Sequence, residues 1–159
     1  MQECADYKSQ IEKNGVIAFV PGGNSMWPML KNRGQSVIVQ AKTGRLKKFD
    51  VAFYVRDNGA FVLHRVMQVI DGGYVMCGDS QFTLEKVKEE NVFGIMTSFY
   101  RGKKSVEVTD EKYIKQVERY YGRPTLRKIR LKFFYLRQRI KNKLAAINRK
   151  VFKKKVNND

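Results

Sequence analysis

The sequence predicts a mostly β domain followed by a basic helical tail, and three observations support this division. Short runs rich in Val, Ile, Phe and Tyr follow one another from residue 16 to residue 108, with Gly-containing turn signals between them. Further on, apolar residues recur at steps of three and four, the spacing of a helix. Residues 1–110 carry 15 Lys/Arg and 12 Asp/Glu, whereas residues 111–159 carry 17 and 3. We therefore expect an N-terminal segment (1–15), a β domain (16–109) and a basic helical tail (110–159).

The β domain is expected to be a small antiparallel barrel or sandwich, with a short helix before it over residues 5–14. Its strongest hairpin signals are Asn58-Gly59 and Asp71-Gly72, which are typical of type I′ turns. If Asp71 and Gly72 are the two turn residues, counting outward in pairs places His64 opposite Asp79. Directly opposed residues share a face of the sheet, so this register brings the only His beside a carboxylate.

The tail is predicted to form two helices. The first begins near Asp110 and ends at Gly122, and Pro124 is suited to open the second. In the second helix, one apolar stripe runs along an otherwise cationic surface. The stripe consists of Leu126, Ile129, Phe133, Leu136, Ile140, Leu144, Ile147 and Val151.

Three interpretations of residues 124–155 stay open. The stripe packs against the β domain while the cations face water, or it inserts into an anionic membrane surface beneath flanking Lys/Arg. Nucleic-acid binding is the third, and it is disfavoured because the tail contains no recognisable motif.

The stretch GGNSMWPML, residues 22–30, is the most informative segment for chemistry. Gly22 and Gly23 permit backbone conformations closed to other residues, while Pro28 fixes its own φ. Ser25 is therefore expected in a stiff turn that can present its hydroxyl to a substrate. An ordinary Gly/Pro loop is the alternative interpretation.

A serine hydroxyl needs a neighbouring base to become a useful nucleophile. His64 is the candidate base for Ser25, and Asp79 would hold the imidazole in the correct tautomer. The alternative for a single strand His is a satisfied, partly buried side chain without a catalytic role.

Four segments together resemble the type I signal peptidase and LexA-type serine peptidases. They are GNSMWPML, KKFDVAFYV, FVLHRVMQV and CGDSQFTLEKVKEENVFGIM, and the resemblance covers roughly residues 16–100. The His-Arg pair within the third segment is similar to the endoplasmic-reticulum and archaeal-type branch, which uses His rather than Lys as the base.

This resemblance implies a role for each matching residue. Ser25 falls on the nucleophile, His64 on the base and Asp79 on the third member. Glu85 is the nearest match to a second acidic residue of the His-using branch. The substrate cleft and oxyanion region would include Gly23, Asn24 and Met26.

The predicted function is thus a serine endopeptidase that cleaves a precursor peptide or signal-type sequence through an acyl-enzyme. The resemblance implies a peptide or protein substrate with small residues before the scissile bond, and no metal or cofactor. The alternative is a non-catalytic β domain whose basic helix binds membrane or nucleic acid.

The sequence favours a cytoplasmic protein, peripheral on the inner face of a membrane. Two Cys give no disulfide framework, which fits a reducing compartment. We find no apolar run of spanning length and no secretory signal at the N-terminus, so we expect no segment that crosses a membrane unaided.

Overall fold

A computed structural model describes the backbone of residues 2–31 and 35–156. Side chains are described for residues 7–31, 35–147 and 149. One of the two Cys, Cys4, and the last residue of the predicted stripe, Val151, therefore lie outside the described side chains.

Strands are the main regular elements before residue 110, and helices form the tail. The elements are α1 (Gln2–Asn14), β1 (Val16–Phe19), β2 (Val37–Ala41), β3 (Val51–Val55), β4 (Phe61–Ile70), β5 (Gly73–Cys77), β6 (Glu85–Lys88), β7 (Val92–Arg101), β8 (Lys104–Glu107), α2 (Glu111–Tyr121) and α3 (Pro124–Val156). The expected mostly β domain with a C-terminal helical extension is confirmed.

The eight strands of the described residues form one antiparallel sheet. Its order is β1-β2-β7-β3-β4-β5-β6, and β8 also pairs with β7. Strand β7 is long enough to take β3 along its first half and β8 along its second, while β2 covers the other edge. The central strands β3 and β4 carry Tyr54, His64 and Arg65 of the candidate site.

The hairpin between β4 and β5 departs from the predicted register. Ile70 pairs with Gly73 as expected, but the register shifts between Val66 and Gln68, and Arg65 pairs with Cys77. Such a bulge inserts one extra residue in one strand and moves every later pair by one. The prediction that His64 faces Asp79 is therefore wrong.

Neither predicted hairpin uses a type I′ turn. Of the residues in the two turns, only Gly59 and Gly72 have a positive φ, at 79° and 66°. A type I′ turn needs a positive φ at both central positions. Asn58 and Asp71 keep ordinary backbone angles, so Gly alone supplies the left-handed residue in each turn.

The chain divides into two compact units, Met1–Val117 and Glu118–Asp159. The boundary lies inside α2 rather than at residue 109, where the sequence suggested it. Tyr113 explains the difference, because it is buried, packs on Phe99 with ring centroids 5.5 Å apart, and receives a hydrogen bond from Arg65. The first turns of α2 thus belong to the β unit.

Aromatic side chains fill one part of the β unit. Neighbouring rings lie 4.9–6.0 Å apart between centroids, mostly in tilted or edge-on arrangements that aromatic pairs favour. The cluster joins α1 to the sheet and consists of Tyr7, Phe19, Phe53, Phe61 and Phe93.

Candidate active site

The turn that carries Ser25 is fixed by the loop after β5. The backbone N–H of Ser80 donates to the Ser25 carbonyl over 2.8 Å, and Ser80 Oγ donates to the Asn24 carbonyl over 2.8 Å. Gly78 permits this close approach, because a Cβ there would lie 2.7 Å from the Ser25 carbonyl oxygen. These contacts therefore hold the Ser25 turn against the loop after β5, although the two segments are far apart in sequence.

Ser25 and His64 line the same cleft, which has a volume of about 250 Å³. In the described part of the chain, no hydrogen bond joins the two side chains. Catalytic hydrogen bonds are often long in the absence of substrate. Three rings of the aromatic cluster form one wall of this cleft, namely Phe19, Phe53 and Phe61.

The three residues expected in the substrate region have different roles. Gly23 lines the cleft with a φ of 78°, a conformation that favours glycine. Met26 is buried and also lines the cleft. Asn24 instead uses its backbone carbonyl to hold the turn, accepting from Ser80 Oγ and from the Trp27 N–H.

His64 is buried and makes its hydrogen bonds at Nδ1. Glu85 Oε1 lies 2.9 Å from this nitrogen, and Tyr54 Oη lies 3.1 Å from it. Tyr54 also donates its hydroxyl proton to Glu85 Oε1. A carboxylate at Nδ1 favours the tautomer in which that nitrogen is protonated, which leaves Nε2 able to accept a proton.

Glu85 is in turn held by Arg56. Arg56 Nε donates to Oε2 over 2.8 Å and Nη2 donates to Oε1 over 3.0 Å. Burial raises the pKa of the Glu85 carboxyl above its usual range. The two hydrogen bonds from Arg56 act in the opposite direction, because they stabilise the ionised form.

Burial, assisted by the positive charge of Arg56, lowers the pKa of His64 to about 4, while Asp79 acts in the opposite direction. The imidazole is therefore neutral at neutral pH. A neutral imidazole is the protonation state that a general base requires.

Asp79 does not take the place that the sequence predicted for it. Its carboxylate is buried and accepts two hydrogen bonds from Arg65, Nε to Oδ1 at 2.7 Å and Nη2 to Oδ2 at 2.8 Å. The bulge in β4 explains this pairing, since it moves the residues after β5 toward Arg65. The carboxylate at Nδ1 of His64 is that of Glu85, which the resemblance had suggested only as a second acidic residue.

Two residues of the site, Tyr54 and Arg56, were not predicted from the sequence. Tyr54 lies on the face of His64 because Ala52 pairs with His64 across the β3–β4 hairpin, and residues two apart on a strand share a face. Counting outward from Asn58 and Gly59 as the two turn residues would have paired Phe53 with His64, one residue away from the observed register. We also see no sequence signal for Arg56, because its position depends on the placement of β6.

A scan against protein-family models finds no match for this chain, and a search of curated proteins finds none either.

We predict that Asp79→Asn destabilises the protein by about 3–5 kcal/mol, because it leaves the buried guanidinium of Arg65 without its counter-charge. Urea unfolding followed by circular dichroism measures the change. Glu85→Gln is the matched control. Because Glu85 is partly exposed, this substitution should lower the free energy of unfolding much less. Equal stability of Asp79→Asn and the parent protein would contradict the structural role of the pair.

We also predict that Gly78→Ala costs about 1–3 kcal/mol, because the new methyl group would collide with the Ser25 carbonyl and with Gln81 Oε1 at 2.8 Å. The same unfolding measurement tests it. Gly44→Ala is the control, because no atom lies within 4 Å of the position that its methyl group would take and its φ is not positive. If Gly78→Ala lowered the stability as little as Gly44→Ala, the close contact between Gly78 and the Ser25 carbonyl would be contradicted.

Proposed function

We propose that this protein is a serine endopeptidase of the signal-peptidase and LexA type. The observation that carries the proposal is that Ser25 and His64 line one cleft, with a carboxylate at Nδ1 of the imidazole. Side chains 39 positions apart in sequence supply the nucleophile and the base that acyl transfer needs. The sequence resemblance independently names the same two residues.

Each reacting group has one role in the proposed cycle. Ser25 Oγ attacks the scissile carbonyl while His64 Nε2 takes its proton, and the resulting oxyanion is stabilised by backbone donors that include the Ser25 N–H. The imidazolium then gives the proton to the leaving amine, and the C–N bond breaks. Water, deprotonated by the same imidazole, hydrolyses the acyl-enzyme and restores Ser25.

Glu85 is the positioning residue in this scheme, in place of Asp79. It accepts a hydrogen bond from protonated Nδ1 and stabilises the imidazolium that forms after proton transfer. Arg56 and Tyr54 fix the carboxylate, so it is already oriented before substrate binds. Asp79 and Arg65 support the site by holding the loop on which the Ser25 turn rests.

The substrate in this proposal is a precursor peptide or signal-type sequence with small residues before the scissile bond. The aromatic wall provides apolar surface for a bound segment, while Gly22 and Gly23 leave room for a second backbone. None of the described helices is long and apolar enough to span a bilayer. We place the enzyme in the cytoplasm, peripheral on the inner membrane face.

A second candidate function is a binding module that acts through α3. That helix contains 13 Lys/Arg and no Asp/Glu, a composition suited to an anionic surface. The two functions are compatible in one chain. Acylation of Ser25 separates them, because a pure binding module would leave this serine unreactive.

We expect a serine-acylating reagent to label Ser25, with the adduct mapped by mass spectrometry. His64→Ala should slow labelling by about 10²–10⁴-fold, because it removes the general base. Glu85→Gln should slow it by at least about 10²-fold with little loss of stability. Ser105→Ala is the control and should leave the rate unchanged. Labelling that ignores His64, or a folded protein whose Ser25 stays inert, would refute the mechanism.

The labelling rate should stay constant from neutral pH to well below 6.5, the ordinary pKa of imidazole, and fall in the region of pH 4. Below its pKa of about 4 the imidazole is protonated and cannot accept the serine proton. Glu85 also gains a proton in acid, so the acid limb belongs to the pair. Stopped-flow or quenched labelling across pH measures the profile. An inflection near the ordinary pKa of imidazole would show that His64 is solvated during the reaction.

A further inference from the structure

Helix α3 has two apolar faces that differ in exposure. Leu131 and Phe134 are buried, with 1% and 8% of their surface exposed. The seven described residues of the stripe are 45–64% exposed, and they are Leu126, Ile129, Phe133, Leu136, Ile140, Leu144 and Ile147. The stripe is therefore a separate surface from the buried face.

The two faces lie on opposite sides of the helix. At 3.6 residues per turn, each residue advances by about 100°, and the stripe falls within an arc of about 80°. Leu131 lies about 180° from the centre of that arc. Burial of Leu131 and Phe134 therefore does not account for the stripe, which presents a row of large apolar side chains to solvent along α3.

Cations border the stripe on both sides. By the same helical spacing, Arg130, Arg137 and Lys141 follow one border, and Lys132 and Lys143 follow the other. All five are exposed. Long basic side chains in this position can extend their charged ends to headgroups while their methylene stems cover apolar surface.

We propose that α3 binds an anionic lipid surface, with the stripe inserted among the acyl chains and the bordering cations at the lipid phosphates. A helix whose exposed surface combines one apolar stripe with many cations lies in the plane of the interface rather than crossing it. Its 33 residues would extend about 50 Å along the membrane. The proposal holds whether or not Ser25 is catalytic.

Two other occupants fit the surface less well. A nucleic acid would engage the cations through its phosphates but would leave seven apolar side chains in water. A second copy of α3 would cover the stripe but would bring two helices of 13 cations each together without a single acidic partner. A bilayer with anionic lipids would cover the apolar stripe and also place phosphates beside the cations.

Co-sedimentation of the full chain with vesicles tests the proposal. We expect binding to vesicles of equal parts phosphatidylcholine and phosphatidylglycerol, and much weaker binding to pure phosphatidylcholine. Combining Phe133→Ser, Ile140→Ser and Leu144→Ser should reduce partitioning by about tenfold or more. Combining Arg137→Gln with Lys141→Gln should reduce it by roughly fivefold per cation, and added salt should weaken it too.

Tyr135→Ser is the matched control, because Tyr135 is an exposed aromatic residue of α3 that lies well away from the stripe. It should bind vesicles like the parent protein. Ser25→Ala should also bind unchanged, which separates this test from the proposed catalysis. Circular dichroism of each variant in solution verifies that the fold is retained.

Three results would overturn the proposal. The first is equal binding of the stripe variant and the parent to anionic vesicles. The second is tight binding of random RNA or DNA, abolished by the cation substitutions, with no vesicle binding. The third is self-association in analytical ultracentrifugation that the stripe substitutions remove, again without vesicle binding.

Discussion

The candidate site depends on the buried ion pair between Arg65 and Asp79. Arg65 directly follows His64 on β4, and Asp79 lies between Gly78 and Ser80, the two residues that contact the Ser25 turn. The pair therefore connects the strand that carries His64 to the loop that supports the Ser25 turn. A buried ion pair adds little net stability compared with apolar packing, but it specifies one geometry when both partners are fully hydrogen-bonded. Arg65 meets that condition by also donating to the Phe49 carbonyl over 2.7 Å.

The environment of His64 is governed by a balance between burial and charge. Burial favours the neutral imidazole, and Arg56 adds to this effect through its positive charge. The same Arg56 neutralises Glu85, so the carboxylate that faces Nδ1 does not raise the pKa of His64 enough to keep a proton on it. The result is a neutral imidazole with a carboxylate at Nδ1, which is what the proposed general base needs. Without Arg56, the Glu85 carboxylate would favour the protonated form of His64.

One extra residue in β4 separates what the sequence could predict from what it could not. The alternation of apolar runs, the Gly turns and the helical spacing of the tail predicted most elements, because these signals are local. The bulge between Val66 and Gln68 is a property of two paired strands, and the sequence of either strand alone does not predict it. Because of the bulge, Arg65 rather than His64 faces Asp79. His64 instead contacts Glu85 on β6. Ser25 and His64 could be proposed from the sequence, since they lie in motifs of the resembled family and the chain has a single His.

Charged and apolar side chains are arranged differently in the tail and in the β unit. In the β unit, polar groups are paired wherever burial makes an unpaired charge costly, as with Arg65 and Asp79. In α3 the charges have one sign. Among the described side chains, all of these charged residues except the partly buried Arg127 are exposed, and the apolar stripe is exposed beside them. Neither feature stabilises the isolated fold, because like charges repel and apolar surface in water is unfavourable. The proposed membrane partner accounts for both features, because the boundary between the headgroups and acyl chains of an anionic bilayer is negative and apolar within a few ångströms.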